Sequence, residues 1–83
     1  MTYSIVWEAD PLDAAAGFLR SDPDGVREVF AAVDRLATDP RPDDAMQYGS
    51  SDMLRLRVGR YRVLYGVASA TSTIFVFHIG RRD

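Results

Sequence analysis

The chain has 83 residues, 47% of them hydrophobic and 27% charged, with a formal net charge of −2. A chain this short holds one core and buries roughly 60–65% of its unfolded surface, which leaves a thin stability margin. It has no cysteine, which excludes disulfides and thiolate metal sites, and no apolar run near the roughly 20 residues of a membrane span.

The opening MTYSIVWEAD has neither a basic region nor a long apolar run, so it does not read as a signal peptide. The expectation is a soluble cytoplasmic protein with one domain over residues 1–83. The small net charge conceals a division of the chain. Residues 1–52 carry four arginines against eleven acids, a net of −7, whereas residues 53–83 carry six arginines against Asp83 alone, a net of +5. A split of this kind points to an anionic partner for the basic part. All ten basic residues are arginine, whose guanidinium fork holds phosphate or carboxylate in a bidentate manner that lysine cannot match.

Residues 2–7 alternate, with Tyr3, Ile5 and Trp7 on one side, and predict a first strand. Asp10-Pro11 then gives an N-cap followed by proline at the first helical position. The helix is expected to run to about Arg20 with Leu12, Ala15, Ala16 and Leu19 on its apolar stripe. Asp22-Pro23 repeats the start signal, and Val26, Val29, Phe30, Val33, Leu36 and Ala37 follow at helical spacing. So short a link makes the two helices an antiparallel hairpin. Asp39-Pro40-Arg41-Pro42 stops the second helix, and residues 43–52 read as a polar surface loop.

From Met53 the period changes to two. Leu54, Leu56 and Val58 alternate with Arg55 and Arg57, and Gly59-Arg60 fits a two-residue hairpin turn. The chain returns through Tyr61, Val63, Tyr65 and Val67, turns at residues 69–72, and continues in a strand from Thr73 to Ile79. That strand is apolar on both faces and is therefore expected to be central. The fold class is α+β, in the order β-α-α-β-β-β, with a helical hairpin on one face of a mostly antiparallel sheet.

The turn sets the register of the hairpin: Val58 faces Tyr61, Arg57 faces Arg62, Leu56 faces Val63 and Arg55 faces Leu64. Arg55, Arg57 and Arg62 then share the side away from the helices. A directly opposed like-charge pair costs about 0.2–1 kcal/mol, so the fold itself gains nothing from Arg57 and Arg62. One reading is a solvated outer face; the other is an anion site that neutralises phosphates. The single histidine, His78, lies among apolar strand residues and reads as packed rather than as a base. Metal binding by one histidine with scattered aspartates has no support, and neither metal nor cofactor is expected. Tyr61 and Tyr65 fall on the helix-facing side and count as packing first.

The opening YSIVW strand, the LATDPRP helix exit, the stretch LRLRVGRYRVLY and the closing FVFHIGRRD together resemble the RelE/ParE toxin superfamily of bacterial type II toxin–antitoxin systems. The resemblance covers nearly the whole chain. It implies the same fold, a cytoplasmic protein and a cognate antitoxin as partner, with toxin–antitoxin assemblies up to a heterotetramer or higher. It further implies a metal-independent, ribosome-dependent mRNA endonuclease in which the ribose 2′-hydroxyl attacks the adjacent phosphate. By matching position, Arg62 corresponds to the arginine on the scissile phosphate and Arg82 to the one that stabilises transition-state charge. Arg55, Arg57 and Arg81 correspond to RNA- or phosphate-binding positions. Family members commonly continue into a segment bearing a catalytic tyrosine, whereas this sequence ends at Asp83; Tyr61, Tyr65, His78 and Asp83 are then the candidate substitutes. The resemblance also admits a ParE-like inhibitor of DNA gyrase with no catalysis of its own, or an antitoxin-binding module that has lost toxicity.

Overall fold

The computed structural model describes residues 2–82. Its elements are β1 (Ser4–Trp7), α1 (Ala9–Ser21), α2 (Pro23–Arg35), β2 (Met46–Tyr48), β3 (Ser50–Val58), β4 (Tyr61–Ala68) and β5 (Thr73–Arg81), with a single 3-10 turn before β5. The five strands form one sheet in the order β1-β5-β4-β3-β2. Only β1 and β5 run parallel; the other pairs are antiparallel. The helical hairpin covers one face, and β5 is internal, as the apolar run from Ile74 to Phe77 predicts.

The second helix follows its sequence signals. The Asp22 carboxylate accepts a hydrogen bond from the Gly25 backbone N–H at 3.1 Å, and Pro23 occupies the first turn, where no intrahelical N–H is needed. Val26, Val29, Ala32, Val33 and Leu36 are buried beneath it against Val63, Tyr65, Ile74 and Val76 of the sheet. Each such valine, leucine or isoleucine side chain removed from water stabilises the fold by about 1.5–3 kcal/mol before entropy is counted. On the β1 side, Trp7 packs against Phe30 with ring centroids 4.9 Å apart.

The first helix departs from expectation in two ways. It begins at Ala9, so its N-cap is Glu8, which makes no side-chain cap, and Pro11 lies within the first turn. Proline is tolerated there because the first four helical N–H groups have no intrahelical acceptor. The buried stripe is Pro11, Ala15 and the flank of Phe18, while Leu12 and Leu19 remain 48% and 45% exposed. Phe18 decides this choice. Its ring meets Tyr61 edge-on at 5.4 Å, and a helix turned to bury Leu12 and Leu19 would lose that contact.

Residues 43–52 are not wholly a loop. Met46–Tyr48 pair with β3, Met46 opposite Arg55 and Gln47 opposite Leu54, and β3 itself begins at Ser50. The segment is a three-residue edge strand with every side chain exposed, too short for alternation to mark it.

The β3–β4 register is the expected one, with Val58 opposite Tyr61, Arg57 opposite Arg62, Leu56 opposite Val63 and Arg55 opposite Leu64. Gly59 takes a φ of +59° in the turn. Between β4 and β5 the register shifts: Leu64 pairs with His78 but Tyr65 pairs with Val76, leaving Phe77 as an extra residue. This bulge inverts the parity of β5. Ile74 and Val76 point to the core before it, and Ile79 does so after it.

Candidate functional site

On the face away from the helices, β3 contributes Arg55 and Arg57, and β4 contributes Arg62 and Leu64. The bulge in β5 brings His78 to the same face, opposite Leu64, and Gly80 opposite Arg62. His78 is therefore exposed rather than packed, which corrects the reading from its apolar neighbours. Its imidazole bends toward Gly80: a Cβ at that glycine would lie 3.2 Å from His78 Nε2. From the sheet edge, Tyr48 of β2 completes the group. A shallow depression of about 140 Å³ is lined by Tyr48, Arg55, Arg62, Leu64 and His78. A wider one, of about 510 Å³, adjoins it past Asp44, Met46, Arg55, Arg57 and Gly59.

The charge on this face is largely uncompensated. Elsewhere arginines meet carboxylates: Arg27 meets Asp24 at 3.0 Å, Arg41 meets Asp52 at 3.1 Å and Arg60 meets Asp22 at 3.2 Å. Among the described residues, Arg57 and Arg62 form no ion pair or side-chain hydrogen bond, and Arg55 reaches only the Met46 sulfur at 3.7 Å. Two facing guanidinium groups without counter-charge raise the local potential and suit a polyanion. A third depression, about 280 Å³ between the end of α2 and β3, mixes Arg35 and Arg57 with Asp39 and Asp44 and has no such excess.

The same bulge sends Arg81 to the opposite face. Its guanidinium lies 4.8 Å over the Phe18 ring and donates to Ser21 Oγ at 2.9 Å, so the fold does not group it with Arg55, Arg57 and Arg62. Alternation beyond Arg81 returns Arg82 to the outer side, where it is exposed; its backbone N–H donates to the Arg60 carbonyl at 2.6 Å, beside the β3–β4 turn.

Neither core-facing tyrosine is available to the site. The Tyr61 hydroxyl donates to Asp22 Oδ2 at 2.9 Å, and that of Tyr65 donates to the Pro40 carbonyl at 2.8 Å. Burial raises the Tyr65 phenol to about 12. The Asp22 carboxyl is held below its usual value by the Tyr61 hydrogen bond, the Gly25 N–H and Arg60, against some desolvation. Asp83 lies outside the described residues. Tyr48, in a segment whose sequence predicts a loop, is the tyrosine that the fold delivers. No three His, Cys, Asp or Glu side chains converge as metal ligands among the described residues, and no helix there is long and apolar enough to cross a membrane.

The family of the ParE toxin of type II toxin–antitoxin systems, parDE, matches residues 12–83. Among solved structures, the fold is similar to the archaeal RelE–RelB complex from Pyrococcus horikoshii OT3, with a TM-score of 0.82, 25% identity and coverage of 99% of this chain and 97% of that one. It is similar to the isolated Escherichia coli RelE toxin at a TM-score of 0.77 and 20% identity, covering 98% of this chain and 85% of that one. It is also similar to the YoeB/ParE toxin from Agrobacterium tumefaciens, at 0.76 and 14%, covering 96% and 99%. Comparison with curated protein sequences gave no match. A family match from α1 to the C-terminus, on a five-stranded sheet covered by a helical hairpin, places the chain in the RelE/ParE superfamily: it belongs to the ParE toxin family of type II toxin–antitoxin systems.

Proposed function

We propose that this toxin is an endoribonuclease that cuts mRNA on the ribosome by attack of a ribose 2′-hydroxyl on the adjacent phosphate. The observation that carries the reading is that, among the described residues, no carboxylate partners Arg57 or Arg62, which stand face to face beside Arg55. In this reading Arg62 holds the scissile phosphate, and Arg82 adds charge stabilisation as the pentacoordinate phosphorus gains negative charge. Arg55 and Arg57 engage the flanking backbone. Arg81, held by Phe18 and Ser21, anchors the end of β5 and contributes to phosphate binding only through the field of its charge. The ribosome enters through the resemblance to RelE-like toxins, and the partner that restrains the activity is a cognate antitoxin, as in the RelE–RelB complex that the fold resembles. An acidic antitoxin segment folding over the arginines, in a cytoplasmic heterotetramer or larger assembly, fits the uncompensated charge.

The test is mRNA cleavage in a translating extract, mapped by primer extension, with antitoxin-free protein and with Arg62→Ala. Cleavage by the first and none by the folded second supports the reading; intact message with both sinks it. The ParE family match favours a second reading, inhibition of DNA gyrase without catalysis by the toxin. A supercoiling assay separates the two, because a trapped gyrase–DNA complex with intact mRNA selects the second.

A further inference from the structure

Proton transfer is the part of the chemistry that arginine cannot supply, since its guanidinium stays charged at any working pH. Among the described residues, the 140 Å³ depression holds only two side chains that can both give and take a proton, His78 and Tyr48. They come from β5 and β2, with β4 and β3 between them, so they stand on opposite sides of Arg62 and Arg55. Displacement at phosphorus places the entering and leaving oxygens roughly in line, on opposite sides of the phosphate. A phosphate held by the two arginines would therefore present one of these oxygens to each side of the depression.

Resting on the ribonuclease reading above, we propose that His78 is the general base and Tyr48 the general acid of this site. His78 lies on the Arg62 side, with Nε2 above Gly80, the residue paired with Arg62, where the glycine leaves room for the ring. Its imidazole takes the proton from the 2′-hydroxyl as the O2′–P bond forms. Tyr48 gives its phenolic proton to the 5′-oxygen as the P–O5′ bond breaks. The products are a 2′,3′-cyclic phosphate and a 5′-hydroxyl. One proton is taken and one given, and exchange with solvent resets both residues. An imidazole suits the first role because one ring nitrogen can accept a proton while the other carries one. Neither side chain is committed elsewhere: among the described residues no hydrogen bond occupies Tyr48 or His78, in contrast to Tyr61 and Tyr65. Among the described residues no carboxylate lines this depression; Asp44 lines the adjoining one with Arg55 and Arg57.

The decisive experiment is single-turnover cleavage of ribosome-bound mRNA by the full chain, as wild type, His78→Gln, Tyr48→Phe and Asp44→Asn. The first two variants are expected to lose about 10²- to 10⁴-fold in rate. All three positions are exposed, so the thermal unfolding midpoint checks that folding is kept. The same proteins are then given RNA with sulfur in place of the scissile 5′-oxygen, whose thiolate leaves without a proton. Tyr48→Phe is expected to regain the wild-type rate on that substrate, and His78→Gln is not. Wild-type rates for folded His78→Gln or Tyr48→Phe on ordinary RNA overturn the proposal, as does rescue by sulfur of His78→Gln instead of Tyr48→Phe. Loss of cleavage in Asp44→Asn with retention in His78→Gln moves the base to Asp44 and overturns it too. Absence of cleavage by the wild type sinks the ribonuclease reading and the acid–base pair together, an outcome distinct from an active wild type with active variants.

Discussion

Arg57 and Arg62 face each other directly across the β3–β4 hairpin, and neither meets a carboxylate among the described residues. The pair is a cost to the folded monomer and a gain only when an anion lies over it. Stability and binding should therefore move in opposite directions when one partner is neutralised.

Arg57→Thr is expected to stabilise the free toxin by about 0.2–1 kcal/mol, through relief of like-charge repulsion and a residue suited to a strand. The same change is expected to weaken RNA retention and to reduce the salt dependence of binding by roughly 0.7 of a counterion, as one phosphate contact to a single strand would. Urea unfolding reads the first effect, and filter binding over a range of salt reads the second.

Asp22 ties three parts of the fold together. It caps α2, accepts from Tyr61 of β4 and pairs with Arg60 of the turn. Its carboxyl is depressed in the folded state, first by the Tyr61 hydrogen bond, so its ionised form is the stabilising one. That contribution is present above the ordinary value of 3.8 and is lost as pH falls below it through the lower folded-state value. Asp22→Asn is expected to lower the urea midpoint at neutral pH and to flatten the fall of that midpoint with acid relative to wild type. A parallel fall in both proteins would remove Asp22 from the acid limb.

How far the sequence could reach is clearest in β5. Strict alternation from Ile74 puts His78 in the core and Arg81 on the outer face; a single extra residue at Phe77 reverses both. No local signal marks that bulge, because Phe77 is as apolar as its neighbours and the shift is set by pairing with Leu64 and Tyr65. The β3–β4 hairpin was legible because a glycine turn and a clean two-residue period fix register without help from distant strands. The second helix was legible through its cap and its valines. In α1 two adjacent stripes are both apolar, and the choice between them depends on Tyr61, far along the chain. Tyr48 stayed hidden because β2 is an edge strand with no buried side chain. Arg55, Arg57 and Arg62 were thus readable, whereas the placement of Arg81, His78 and Tyr48 depends on tertiary pairing.

Tyr65 gives the corresponding test at high pH. Its phenol is buried, donates to the Pro40 carbonyl, and is raised from 10.0 to about 12. A raised folded-state value means that the neutral phenol stabilises the native state fully below 10.0, and that this stability is lost as pH climbs toward about 12. Tyr65→Phe removes the hydrogen bond and should be less stable at neutral pH by about 0.5–1.5 kcal/mol. It should also lose less stability than wild type between neutral and strongly alkaline pH, and urea midpoints across that range provide the comparison.

Gly80 separates stability from function at the arginine face. Its backbone does not require glycine, since its φ is not positive, and among the described residues other than its chain neighbours a Cβ there would meet the His78 ring alone, at 3.2 Å from Nε2. Gly80→Ala restricts the unfolded chain, which is worth about 0.4–1 kcal/mol where the native conformation accepts alanine. The ring must shift by a few tenths of an ångström, a small demand on an exposed side chain. The variant is therefore expected to match or slightly exceed wild-type stability. Yet the imidazole would leave its place above the residue paired with Arg62, so mRNA cleavage should slow with the fold intact. Gly59→Ala is the contrasting control: its φ of +59° makes alanine strained, so stability should fall, while the residues lining the His78 depression are untouched. Measured together, a slower but stable Gly80→Ala beside a destabilised Gly59→Ala would separate activity from stability and tie activity to the position of His78. Equal rates for wild type and Gly80→Ala would detach the ring's placement from the chemistry.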